Sequence, residues 1–286
     1  MSLKSSIVSA IRWVGRAPPF SSVLFRPAVQ RTLQSLPVFR TLYGGGWDLI
    51  HPFDRLNGTD TSGYVASENL PNSHFADTGL HIYGGSQPSI IRSALRELPD
   101  LDGFTFVDLG AGKGRPTLVA TEFAFKAVVG VELSPALVNV ALENAAVFQT
   151  RRPTRPPARF ENGDAAIYPL PAGDLVVFLY NPFGGEVMDR VVANIETALA
   201  NEPRSLFVVY YNPVCGDRFD TSPVLQRYYA GTVAYAADEL GFGPDDADPV
   251  VIWQGGSNRS AKPGADAAIA ITNPGYRCQL IGQEAR

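Results

Sequence analysis

The sequence predicts an α/β protein with a doubly wound, mainly parallel sheet and an N-terminal helical and loop extension acting as a lid. Two observations carry that expectation. Beyond Gln87, strand-length apolar runs alternate with helix-length segments, the pattern of a parallel sheet covered on both faces. The first of those strands runs into "FVDLGAGKGRP", Phe106 to Pro116, with Gly110, Gly112 and Gly114 at alternate positions. With 286 residues at 45% hydrophobic content, the chain can bury one domain of about 200–250 residues plus an appendage.

Residues 1–45 read as a basic helical arm: Ile7, Ile11 and Val14 recur at helical spacing, and Pro18, Pro19, Pro27 and Pro37 break the segment into short pieces. Residues 46–87 hold all three histidines and many turn formers without periodicity, which predicts a loop-rich lid. Residues 88–286 form the core domain. In order, "PSIIRSALREL" is a helix, "FTFVDLG" a buried strand, and "RPTLVATEFAF" a helix with Pro116 suited to its first turn. "KAVVGVEL" is the next strand, and Ser134 with Pro135 caps and opens the helix "ALVNVALENAAVF". "ARFENGD", "DLVVFLYN" and "SLFVVYYN" are strands, with the helix "EVMDRVVANIETALA" between the last two. "VVIWQGG" and "AAIAITN" are expected to close the sheet, and "TRRPTRPPARF" is a surface loop.

The net charge of −4 gives no general reason to expect a nucleic-acid partner, and none is expected. The charge is uneven: the first fifty residues carry about +5, which suits an arm folded over an acidic body, or an acidic partner or membrane surface. Cys215 and Cys278 are too few for a disulfide framework or metal cluster, so a reducing, cytoplasmic setting is the default. No apolar run approaches the ~18 residues a membrane span needs, and the apolar start is broken by Arg12. His51, His74 and His81 lack metal-like spacing, so no metal is expected. His51 or His81 remains available as a base.

Three glycines in five residues allow a ligand to approach the backbone where a Cβ would block it. The spacing is neither G-x-G-x-x-G nor a phosphate loop ending in Lys-Ser/Thr. Glu132 ends the second core strand, where a carboxylate can accept both ribose hydroxyls of an adenosine. Here the chain resembles the class I, Rossmann-like S-adenosylmethionine-dependent methyltransferases, across roughly residues 88–215. Asp108, Gly110, Gly112 and Gly114 match that family's acidic-x-Gly-x-Gly-x-Gly motif, Glu132 its second-strand acid, and Asp164 with Ala165 its adenine-contacting pair. The resemblance implies S-adenosyl-L-methionine as cofactor, held by those residues together with Ala111, and by Tyr83 and Gln87 at its methionine end.

The fourth strand ends "FLYNPFGG", similar to the Asp/Asn-Pro-Pro-aromatic motif of amine-directed members, with one proline missing. Asn181, Tyr180 and Phe183 are the catalytic candidates: an amide oxygen for the acceptor nitrogen, and ring faces for the sulfonium, such contacts contributing roughly 0.5–2 kcal/mol. "YYNP", Tyr210–Pro213, ends the fifth strand alike, either as a shared wall or as a common strand-stop. The resemblance implies methylation of nitrogen on a small molecule or a protein lysine. An enzyme that cyclises or cleaves the cofactor itself, and a non-catalytic scaffold, are the alternatives.

Overall fold

The computed structural model describes residues 49–65, 83–243, 245–256, 259–273 and 276–280. The expected arm, His74 and His81 lie outside the described residues.

A seven-stranded sheet organises the chain. Its strands are β3 (Thr105–Leu109), β4 (Ala127–Glu132), β5 (Ala158–Asn162), β6 (Leu175–Tyr180), β7 (Leu206–Tyr211), β8 (Leu225–Ala234) and β9 (Ala247–Gly255), in the spatial order β5-β4-β3-β6-β7-β9-β8. β3 to β7 are parallel, and β9 runs antiparallel to both β7 and β8. The crossover helices are α3 (Arg115–Ala120), α4 (Pro135–Arg151) and α5 (Gly185–Asn201), preceded by α1 (Pro52–Asn57) and α2 (Pro88–Arg96) and followed by α6 (Gly216–Asp220). The order reverses between β3 and β6, and such a switch point opens a crevice at the carboxyl ends of the strands.

Period-two alternation sends side chains to two cores. Val107, Leu109, Val177, Leu179, Tyr210 and Trp253 pack toward α5 and α6, and Phe106, Phe178, Tyr211 and Ile252 toward α2 and α3. Each large apolar side chain so buried contributes roughly 1.5–3 kcal/mol.

One expectation needs correction. "VVIWQGG" does join the sheet, as part of β9, but "AAIAITN" does not: β10 (Ile269–Asn273) pairs with β11 (Tyr276–Leu280) in a separate antiparallel hairpin. The edge strand is instead β8, "LQRYYAGTVA", whose polar residues hide its strand character. Its Arg227 is fully buried because Asp220 accepts from Nε at 2.7 Å and from a terminal nitrogen at 2.6 Å, with Trp253 donating to the same carboxylate. Among the described residues no helix is long and apolar enough to cross a membrane.

Candidate functional site

The glycine loop follows β3, and all three glycines have positive φ: 86° at Gly110, 55° at Gly112 and 91° at Gly114. Part of the requirement is internal. A Cβ on Gly110 would stand 2.7 Å from Cβ of Pro182, and one on Gly114 would stand 2.5 Å from the ring of Phe160. The loop's donors are also used internally. The N–H groups of Gly110 and Ala111 reach the carbonyl of Val131 at 2.9 and 3.0 Å, and that of Gly114 reaches Ala111 at 2.8 Å. Gly112 N–H donates to Glu132 Oε2 at 2.9 Å. A loop spent in this way has no array of free amides for a pyrophosphate. Ala111 itself is buried against Val138, Ala141 and Phe160.

Two carboxylates flank the loop. Asp108 is buried, and burial pushes it up to about 7 while Thr117 Oγ1 donates to it at 2.8 Å and Glu132 adds like charge. Glu132, at the end of β4, is also raised by burial, against the backbone N–H groups of Ser134 at 2.8 Å and of Gly112. The N–H of Leu133 also stabilises it, and the carboxylate keeps lone-pair capacity for a further donor. In the loop after β5, Asp164 Oδ1 accepts from the N–H of Ala166 at 2.9 Å, its other oxygen lies 3.7 Å from Arg190, and Ala165 is buried beside it.

The lid segment packs onto the first turn of α3 through residues the motif reading did not single out. Arg115, 2% exposed, donates through Nε to Thr61 Oγ1 at 2.7 Å and through its terminal nitrogens to the carbonyls of Ser86 and Thr61 at 3.0 and 2.9 Å, beside Asp54. Asp54 collects the hydroxyls of Thr59, Thr61 and Ser62. Burial opposes its charge, but Arg115 and these donors hold it below the usual carboxylate range. Lys113 reaches the carbonyl of Ser62 at 2.7 Å, and Asn144 ties Asp60 to the carbonyl of Lys113. The signal was present in "DRLNGTDTS": an acid followed by clustered hydroxyls carries its own donors and can be buried.

Two lid candidates fall to corrections. Gln87 is engaged elsewhere, accepting from His51 Nε2 at 2.9 Å and donating to the carbonyl of Phe242 at 3.0 Å. His51 is no free base: its Nδ1 accepts from the N–H of Phe53 as the cap of α1, and burial with the nearby Arg115 lowers it to about 4. Tyr83 lies in the short strand β2 (Tyr83–Gly84), paired with β1 (Tyr64–Val65). Next to Gln87, Ser86 is 2% exposed and its hydroxyl has no hydrogen-bond partner among the described residues. An orphaned buried hydroxyl beside Arg115, a half-buried Glu132 and a donor-free glycine loop fit an adenosine carrying an amino-acid tail.

At the end of β6, Tyr180 is half-buried and stacks on Tyr211 with ring centroids 4.2 Å apart. Asn181 has φ 38° and its Oδ1 lies 3.4 Å from the hydroxyl of Tyr210. Phe183, expected as an open ring face, is instead a core residue at 6% exposure, packed where Gly110 lacks a side chain. Sequence reading also missed the group behind Tyr180. Tyr211 and Tyr235 both donate to Asp248 Oδ2, the former at 2.7 Å, and burial pushes Asp248 up to about 6 against those hydroxyls.

Neither a scan of family models nor a search of curated proteins finds a match to this sequence. Solved structures of similar shape include TrmN from Thermus thermophilus, at 19% identity and TM-score 0.43, covering 59% of this chain and 48% of that one. A candidate RNA methyltransferase from Pyrococcus horikoshii has 17% identity and TM-score 0.43, covering 61% and 86%. Precorrin-6y C5,15-methyltransferase from Geobacter metallireducens GS-15 has 13% identity and TM-score 0.42, covering 59% and 88%. The chain thus spans about half the length of TrmN. The expectation of no nucleic-acid partner is withdrawn, because RNA is the named substrate class of one of these proteins and an overall acidic charge is no ground for excluding it. The resemblance seen in the sequence holds at the level of fold: the parallel run β5-β4-β3-β6-β7, closed by the antiparallel β9 and the edge strand β8, is the class I methyltransferase architecture.

Proposed function

We propose that the chain is an S-adenosylmethionine-dependent methyltransferase acting on nitrogen of a small molecule or a protein lysine, in a cytoplasmic setting. The observation that carries this reading is the glycine loop. Its N–H groups are spent on Val131, Ala111 and Glu132, which disfavours a dinucleotide, while the loop shape and Glu132 stay available to an adenosine. On this reading Glu132 holds the ribose hydroxyls, Asp164 and Ala165 the adenine, and Asp108 with Gly110, Gly112 and Gly114 shapes the floor. On the same reading the catalytic unit begins at residue 88, and the described lid residues 49–65 close over it.

The cofactor supplies an activated methyl group, and the protein's part is alignment and exclusion of water. Alignment of two reactants is worth roughly 7–11 kcal/mol at best. On this reading Asn181 Oδ1 accepts a hydrogen bond from the acceptor nitrogen and so orients its lone pair. Tyr180 supplies a ring face beside it.

Calorimetry with S-adenosylhomocysteine and with NAD tests the cofactor. The first should bind and the second should not, and Glu132→Ala should weaken the first by about 1.5–3 kcal/mol, or ten- to a hundredfold. NAD binding without S-adenosylhomocysteine binding overturns the reading. Methylthioadenosine released at enzymatic rates from S-adenosylmethionine alone replaces transfer by self-reaction of the cofactor.

A further inference from the structure

A carboxylate removed from water needs a counter-charge or a full set of donors. Several buried acids here have one. Asp54 faces Arg115, and Asp220 is held in a two-bond pair with Arg227. Among the described residues Asp248, like Asp108 beside the glycine loop, has no cation next to it. It is 7% exposed, and its Oδ2 takes the hydroxyls of Tyr211 and Tyr235. Among the described residues its Oδ1 accepts no hydrogen bond, no cationic side chain forms an ion pair with it, and the charge acting on it is a second acid, Asp245.

The topology places this anion at the site. β9 runs antiparallel to β7, with Tyr211 opposite Val250, so Asp248 lies two residues past the carboxyl end of β7. Tyr180, at the carboxyl end of β6, stacks on Tyr211, and Asn181 follows it. One carboxylate and two stacked rings therefore share the edge of the sheet where the acceptor is proposed to bind. A ring face and an anion together favour a cation, and they oppose an anionic ligand.

We propose that Asp248 with Tyr180 forms a subsite for a ligand ammonium group, in which Asp248 Oδ1 is the counter-charge and the Tyr180 ring, backed by the buried Tyr211, is the wall. This deepens the methyltransferase reading and rests on it for the position of the acceptor. The ammonium belongs either to the acceptor or to the α-amino group of the cofactor, and both present the same chemistry.

Calorimetry on the full chain separates these sources. For the acceptor, cadaverine is compared with 1,5-pentanediol, its uncharged analogue, in the presence of S-adenosylhomocysteine. For the cofactor, S-adenosylhomocysteine is compared with methylthioadenosine, which lacks the ammonium. The parent should favour at least one ammonium ligand over its uncharged counterpart by tenfold or more, and Asp248→Asn should abolish that preference without altering binding of the counterpart. Loss of the cadaverine preference assigns the subsite to the acceptor, and loss of the S-adenosylhomocysteine preference assigns it to the cofactor. A parent with neither preference overturns the proposal, even if Asp248→Asn fails to fold, and so does survival in Asp248→Asn of every preference that the parent shows. Failure of the parent to bind S-adenosylhomocysteine sinks the methyltransferase reading instead, and the cadaverine comparison, repeated without nucleoside, still decides the subsite.

Discussion

β6 and β7 end in the same three residues, Tyr-Asn-Pro, and the two ends do different things. In both, asparagine takes the left-handed backbone that few other residues tolerate, with φ 38° at Asn181 and 53° at Asn212. Asn181 is half-exposed, and the proline after it packs into the space left by Gly110. Asn212 is buried, and its N–H ties β7 to the carbonyl of Pro249, just ahead of the β9 residue paired with Tyr211. One turn borders the candidate site and the other fastens the sheet. The rings before them, Tyr180 and Tyr211, stack on each other, with Tyr211 fully buried behind Tyr180. A short motif specifies backbone geometry first, and its neighbours decide whether that geometry serves chemistry.

The largest effect expected is at the contact between the first stop and the glycine loop. Gly110→Val adds left-handed strain, about 1–2 kcal/mol, and overpacking against Pro182, about 1–3 kcal/mol. It should lower unfolding free energy by about 3 kcal/mol or more in urea titrations and remove S-adenosylhomocysteine binding. A variant as stable as the parent would show that Pro182 does not pack where the fold puts it.

Behind the second stop, Asp248 should leave a signature in pH-dependent stability. Its folded value, about 6, lies above its ordinary 3.8. The folded state therefore binds more protons than the unfolded state between those values, and stability falls as pH rises from about 4 through 6. Asp248→Asn removes that fall, so relative to the parent the variant should gain up to about 3 kcal/mol between pH 4 and pH 7.5. Parallel stability curves would mean that Asp248 has a cation the described residues do not show.

Asparagine substitutions compare the stops directly. Asn212→Ala should lose about 1–2 kcal/mol of stability from left-handed strain, and Asn212→Gly should recover most of it, because glycine tolerates positive φ. Asn181→Ala should lose turnover with cofactor binding kept, and Asn181→Gly should not restore it, because the missing group is the amide oxygen. Equal rescue of both by glycine would make Asn181 a turn former only.

Much of this was legible in the sequence because it is local. The strand runs, the Ser134 cap and the glycine loop follow from periodicity and turn chemistry within a few residues. What escaped depends on partners far along the chain. β8 looked unlike a strand because Arg227 needs Asp220 to be buried. Gln87 and Phe183 are the right residue types near the right place, but His51, Phe242 and Gly110 occupy them. Asp248 meets Tyr211 across 37 positions and sits in a stretch of acids that reads as solvated surface.

Ser86 gives the smallest effect. Its buried hydroxyl resembles Asp248 Oδ1 in lacking a partner among the described residues, but it stands on the glycine-loop side, where its own carbonyl accepts from Arg115. A hydroxyl that makes no hydrogen bond adds nothing to folding, so Ser86→Ala should leave unfolding free energy within about 0.5 kcal/mol of the parent or slightly above it. If that hydroxyl instead awaits the amino-acid tail of the cofactor, the same variant should weaken S-adenosylhomocysteine by about 0.5–1.5 kcal/mol, roughly two- to tenfold, and leave methylthioadenosine unchanged. A loss of stability without a change in binding would mean that Ser86 is paired in solution, and the orphaned group on this edge of the sheet would then be Asp248 alone. Equal weakening of both nucleosides would move Ser86 from the tail to the adenosine. Selective weakening, with stability unchanged, would show that both halves of the carboxyl edge keep a polar atom in reserve, one for each end of the ligand pair.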